Sequence, residues 1–155
     1  MGKKSLNKHN SIFLETRQQL GLSREAASEL LEIISEDRLE KIENRRANIH
    51  PDEVLLMSKK YKKPMLCNYY CANECPIGKE YVPLLEPSDL NKMTMELLVS
   101  LEEINKQKNR MAEMAVDGEI TEDEKADYVM IQENLDKMAK TINSIKIWVE
   151  EKNNE

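Results

Sequence analysis

From residue 11 onward the apolar residues recur at three- and four-residue intervals, and no stretch alternates apolar with polar as a half-buried strand does. "SIFLETRQQLG" reads as a helix closed by Gly21, since a glycine just past a helix end accepts left-handed dihedrals. Ser23 caps "REAASELL", and after a break at "EII", Ser35 caps "EDRLEKIEN". "RRANIH" is a turn, and Pro51 opens "DEVLLMSKKY" at the first helical position. Pro64 opens a shorter segment, "MLCNYYCANEC", which Pro76 stops. "IGKEYVPLLEPS" carries two more prolines and reads as a linker. Ser88 then caps a long helix, "VDGEI" turns it, and Thr121 with Glu124 makes a capping box for a second. The pattern predicts an all-α chain. It has a polar arm (1–10), a five-helix N-terminal bundle (11–75), a Pro-containing linker (76–88) and an antiparallel helical hairpin (89–155).

The two long helices have a second regularity. Leu90, Thr94, Leu97, Leu101, Ile104, Lys108, Met111 and Ala115 are spaced alternately four and three, as are Ile131, Leu135, Met138, Ile142, Ile145 and Val149. Such heptad spacing predicts a coiled-coil-like seam. Met93, Leu98, Met130 and Trp148 lie off that seam and predict a second apolar face. It would pack on the N-terminal bundle or on a second copy of the chain. Of the two, a homodimer through residues 89–155 is the expected partner.

Composition narrows the class. With charged residues at 34% and aromatics at 5% of 155 residues, the chain suits a helical protein with modest cores. No apolar run approaches the ~20 residues of a membrane span. "MGKKSLNKHN" has no apolar stretch after its basic residues, so a cytoplasmic location is expected. Charge is unevenly divided: residues 1–64 hold 13 Lys and Arg against 10 Asp and Glu, and residues 65–155 hold 10 against 19. A basic first half with an acidic second half suits a nucleic-acid module joined to a region that avoids nucleic acid.

Three stretches carry a specific likeness. "TRQQLGLSREAASELL", "RLEKIENRR" and "DEVLLMSKKY" resemble the Xre/Cro/C1-type helix-turn-helix family of transcriptional regulators, over roughly residues 12–75. The resemblance implies a lambda-repressor-like bundle that binds double-stranded DNA, with the third helix (35–44) in the major groove. It also implies an ion pair between Arg17 and Glu43 beneath the surface. The chain departs from the family pattern in three places. The turn between the second and third helices is one residue longer, Arg45 stands where glycine is usual, and residues 36 and 37 are acidic.

Leu39 and Ile42 are expected to point inward with Leu20, Leu31, Val54, Leu55 and Tyr61. That leaves Ser35, Glu36, Asp37, Arg38, Glu40 and Lys41 to face DNA. Carboxylates can accept a hydrogen bond from a cytosine amino group, or simply ease the helix dipole near an N-terminus. Affinity would then come from cations on phosphates: Arg24, Arg45 and Arg46, with the lysine run 59–63 behind them.

Cys67, Cys71 and Cys75 are four apart and, with no histidine nearby, lack the fourth ligand of a zinc site. They are expected to pack as small soft side chains, with a shared metal or a thiol switch as the other readings. "DGEITEDE" has Gly118 and Glu124 at calcium-loop spacing, but the loop's first and third ligand positions fall on Glu113 and Ala115, and alanine supplies no ligand, so it reads as a turn. His9 and His50 fall in an arm and a turn. No nucleophile–base pair, phosphate loop or metal tetrad is visible, so a non-enzyme without cofactor is expected. The leading expectation is a sequence-specific DNA-binding regulator. The other is a protein-interaction adaptor on the same scaffold that does not read DNA.

Overall fold

The computed structural model describes residues 11–86, 88–116 and 118–154. The polar arm, with His9, lies outside them. The described residues are helical, without strands, and fall into two compact units that meet in the sequence at Leu84 and Leu85.

The first unit is built from α1 (Ile12–Gln19), α2 (Arg24–Leu31), α3 (Glu36–Glu43), α4 (Pro51–Lys60), α5 (Met65–Asn73) and α6 (Pro76–Tyr81). Its helix ends are where the polar signals lie. The hydroxyls of Ser11, Ser23 and Ser35 accept from the N–H groups of Leu14, Ala26 and Arg38. Gly21 sits at φ 68°, where a side chain would be strained. At α4 the Glu53 carboxylate reaches back to the His50 N–H at 2.8 Å. Leu31, Ile34, Leu39, Val54, Met57 and Leu66 are almost wholly buried in one cluster. Each contributes roughly 1.5–3 kcal/mol relative to an exposed position.

Two expected core residues are not in it. Leu20 and Leu55 are 39% and 48% exposed. Leu20 is the C-cap of α1, past the last turn that faces the core, and α4 buries Val54, Met57 and Ser58, leaving Leu55 on the outer side. The expected linker also contains a helix. Pro76 does not only stop α5 but opens α6, and a Cβ on Gly78 would collide with the Cys71 carbonyl. Glycine is what lets α6 lie against α5.

The second unit is α7 (Leu90–Met114) and α8 (Lys125–Asn153), packed against each other along an antiparallel hairpin. Asp89, not Ser88, caps α7, accepting from the Lys92 N–H at 2.9 Å. Glu124 accepts from the Thr121 N–H at 3.1 Å ahead of α8. The seam keeps the expected period but not the expected phase. Leu97, Ile104 and Met111 do face inward, with Ile131, Met138 and Ile145. The alternate layer is formed by Met93, Ser100, Gln107 and Met114 against Asn134, Thr141 and Trp148. Leu101, Leu135, Ile142 and Val149, expected inside, are 37–48% exposed. The polar layers are satisfied locally. Ser100 donates to the Glu96 carbonyl at 3.0 Å, and Asn134 donates to Gln107 at 3.2 Å. At one end Arg110 holds Asp127 at 2.7 Å.

Candidate nucleic-acid interface

α3 is fixed from both sides by charge. The Arg17 guanidinium grips Glu43 through Nε at 2.5 Å and Nη2 at 2.9 Å, and its Nη1 donates to the Leu22 carbonyl at 2.7 Å. Glu43 has a side chain 0% exposed, and Arg17 one only 8% exposed. The hydrogen bond to Glu43 raises the Arg17 pKa against the opposing pull of burial. The Tyr61 hydroxyl is buried close by, and burial beside Glu43 pushes it up to about 12. The expected Arg17–Glu43 pair is therefore present.

Arg24 belongs to the same cluster. Its Nε donates to Glu43 at 2.9 Å while its side chain stays 37% exposed. The residue named for phosphate binding thus has one edge committed to α3 and only its remaining donors toward solvent. Arg38, also expected outward, is half-buried. It makes a two-pronged bond to Glu53 at 2.7 Å for each prong and donates to the Asn48 carbonyl at 2.8 Å. Burial pushes Glu53 up, but the Arg38 hydrogen bond, the His50 N–H and nearby positive charge together hold it below its usual value. Arg38 therefore ties α3 to α4. Its partner was signalled only indirectly, by the capping-box spacing of His50 and Glu53.

What α3 leaves exposed is Ser35, Glu36, Asp37, Lys41 and the cap residue Asn44, with Glu40 half-buried. Two of the three carboxylates are offset within reach. Lys41 binds Asp37 at 2.6 Å, one turn along, and Arg46 lies 3.5 Å from Glu40. Glu36 makes no ion pair among the described residues. These exposed pairs add little stability, but they cancel most of the field that an anionic ligand would meet. Arg45 and Arg46 follow, both exposed. Arg45 is at φ 56°, the left-handed region that favours glycine. Of the lysine run, Lys60 is held by Glu32 at 2.5 Å.

One exposed residue was missed. Ile33 is 75% exposed in the turn between α2 and α3, next to Glu32 at φ 64°. The extra turn residue was its signal. Cys67, Cys71 and Cys75 are half-buried and unlinked, and burial next to the other two thiols raises Cys71. Among the described residues no group of three His, Cys, Asp or Glu is placed to hold a metal. None of the described helices is long and apolar enough to cross a membrane. Comparison with protein-family models, with curated proteins and with solved structures finds no match.

Proposed function

We propose that this chain is a sequence-specific DNA-binding transcriptional regulator of the Xre/Cro/C1 kind. In this reading α3 enters the major groove and the C-terminal hairpin joins two copies. The observation that carries it is the asymmetry of α3. Its inner side is buried through Leu39, Ile42 and Glu43, and its position is fixed by Arg17, Arg24 and Arg38. Its outer side is exposed, capped by Ser35 and followed at once by Arg45 and Arg46. A helix held rigidly and exposed on one side suits base contacts, which need placement, and flanking arginines suit phosphates.

The acidic residues then act on selectivity. With Asp37 and Glu40 paired to Lys41 and Arg46, an approaching duplex meets roughly balanced charge on α3. Nonspecific binding rests on phosphate neutralisation, so a balanced helix lowers it, while a good base contact still adds about 1–3 kcal/mol of discrimination.

Selection from random duplexes at low salt, followed by salt titration, tests this. The wild type should enrich a sequence. Arg45→Ala with Arg46→Ala should weaken binding to every duplex and make the salt slope shallower, by about 0.9 for each phosphate no longer neutralised. Glu36→Gln with Asp37→Asn should raise affinity for random DNA and narrow its gap from the selected site. The adaptor reading draws on the exposed Glu36 and Asp37 in the first turn of α3, which would also suit a basic protein surface. Absence of any enriched sequence would favour it.

A further inference from the structure

The two edges of the α7–α8 hairpin differ in charge. One is the more polar edge, where charged side chains stand beside exposed apolar ones in a groove lined by Lys92, Met95, Glu96, Val99, Lys137 and Lys140 among others. The other follows from the seam's phase. The residues one step past Ser100 and Gln107 on α7 are Leu101 and Lys108. Those one step past Asn134, Thr141 and Trp148 on α8 are Leu135, Ile142 and Val149. In an antiparallel helix pair these steps lead to the same edge. The Gln107–Asn134 hydrogen bond sets the register, which brings Leu101 level with Ile142 and Lys108 level with Leu135. Leu98 widens the edge on α7, and Ala139 widens it on α8.

No carboxylate stands at these flanking positions, although the unit is rich in Asp and Glu. Leu98, Leu101, Leu135, Ile142 and Val149 are 53, 48, 43, 37 and 43% exposed in the whole chain. Together with Leu90 and Tyr128 they leave on the order of 500 Å² of apolar surface in water, at the upper end of what a monomer shows. A standard interface needs about 800 Å² from each partner, so this edge with its polar rim is of the right size.

We propose that this carboxylate-free edge binds the same edge of a second copy, making a four-helix bundle. The proposal deepens the dimer in the functional reading above and rests on it. A second copy is the occupant that fits the charge. The hairpin is acidic as a whole, so two copies approach most easily where carboxylates are absent, and here each offers apolar side chains with only Lys108 and Lys146 at the margin. Such an interface is isologous, with each copy giving and receiving the same patch. It also accounts for the seam. Layers of Ser100 with Thr141 and of Gln107 with Asn134 interrupt the apolar seam and weaken the two-helix core, while Leu101, Leu135, Ile142 and Val149 lie outside, as in a core cut in half.

Sedimentation equilibrium of the full chain without DNA, up to about 100 μM, reads the result directly. The wild type should be a dimer. Leu101→Glu with Ile142→Glu should raise the dissociation constant by roughly 100-fold or more while circular dichroism still reports helix. Lys137→Glu, on the polar edge, should leave it unchanged. If Leu101→Glu with Ile142→Glu loses helix, Leu101→Ala with Ile142→Ala takes its place, with an expected weakening of roughly 10-fold. A monomeric wild type overturns the proposal. So does a dimer that survives the edge variants, or one broken by Lys137→Glu. Duplex selection is scored separately, so a dimer that enriches no sequence overturns the DNA reading and leaves the interface standing.

Discussion

The two units use polar residues in opposite ways. In the first, apolar side chains fill the centre and the buried charge is concentrated at one joint, where Glu43 meets Arg17 and Arg24. In the second, polar layers interrupt the apolar seam while Leu98, Leu101 and Leu135 lie on the outside. A buried ion pair surrounded by a finished core fixes how helices cross. A polar seam with apolar flanks instead leaves burial incomplete until something covers the flank. The first unit is therefore expected to hold its shape alone, and the second to gain much of its stability from the proposed second copy.

The sharpest way to break this contrast is to remove the joint. Glu43→Ala strands the Arg17 guanidinium in a site where its side chain is 8% exposed, and loss of one partner of a buried pair costs roughly 3–5 kcal/mol. Urea unfolding should show that loss. An unchanged midpoint would mean that the ion pair does not organise the unit.

The second prediction attacks the seam. Gln107→Leu with Asn134→Leu replaces a half-buried hydrogen-bonded pair by apolar packing, and should raise hairpin stability by about 1–2 kcal/mol. A loss of stability in thermal unfolding would show that the polar layer is a required part of the seam. Partner choice should shift as well, since polar layers restrict register in coiled coils.

The seam also shows what a sequence can and cannot convey. Its period was legible because Leu97, Ile104 and Met111, with Ile131, Met138 and Ile145, belong to both available phases. Its phase was not. Choosing the more apolar neighbour favours Leu101 over Ser100 and Ile142 over Thr141, and the structure makes the opposite choice. Ser100, Gln107 and Asn134 find partners inside the hairpin, so burying them is cheap. In the first unit the punctuation was clear: Ser23, Ser35, Pro51 and Gly21 all mark helix ends. Of the candidate interface, the exposure of Glu36, Asp37, Lys41, Arg45 and Arg46 was legible from the spacing of Leu39 and Ile42. The half-commitment of Arg24 and the full commitment of Arg38 were not, because their carboxylate partners are 19 and 15 residues away.

The link between α3 and α4 gives the third prediction, through pH. Glu53 has a folded pKa below its usual 4.5, so its stabilising effect is present above that value and is lost as pH falls through the lowered one. Stability of the first unit should decline as pH is lowered past about 4.5. Glu53→Gln should remove part of that decline and cost about 1 kcal/mol at neutral pH, the usual net worth of such a hydrogen bond. A pH profile identical to the wild type would show that Arg38 gains nothing from the pairing.

The smallest expected effect lies where the first unit is locally strained. Arg45 holds φ 56° at the end of α3, although nothing in the core requires an arginine there. Glycine adopts that conformation without steric cost, so Arg45→Gly should leave stability unchanged or raise it by up to about 1 kcal/mol. If Arg45 serves only the fold, DNA binding should be as indifferent as stability. If it binds a phosphate, the same change should weaken binding to all duplexes and reduce the salt slope by about 1 per site. Improved stability with weakened, less salt-sensitive binding would separate the two roles in one variant. It would also place the strain at the exposed end of α3, where the chain keeps a charge at the expense of an easier turn. A variant that loses stability instead would mean that the arginine side chain stabilises the fold, through its attraction to the Glu74 carboxylate, and would remove Arg45 from the interface.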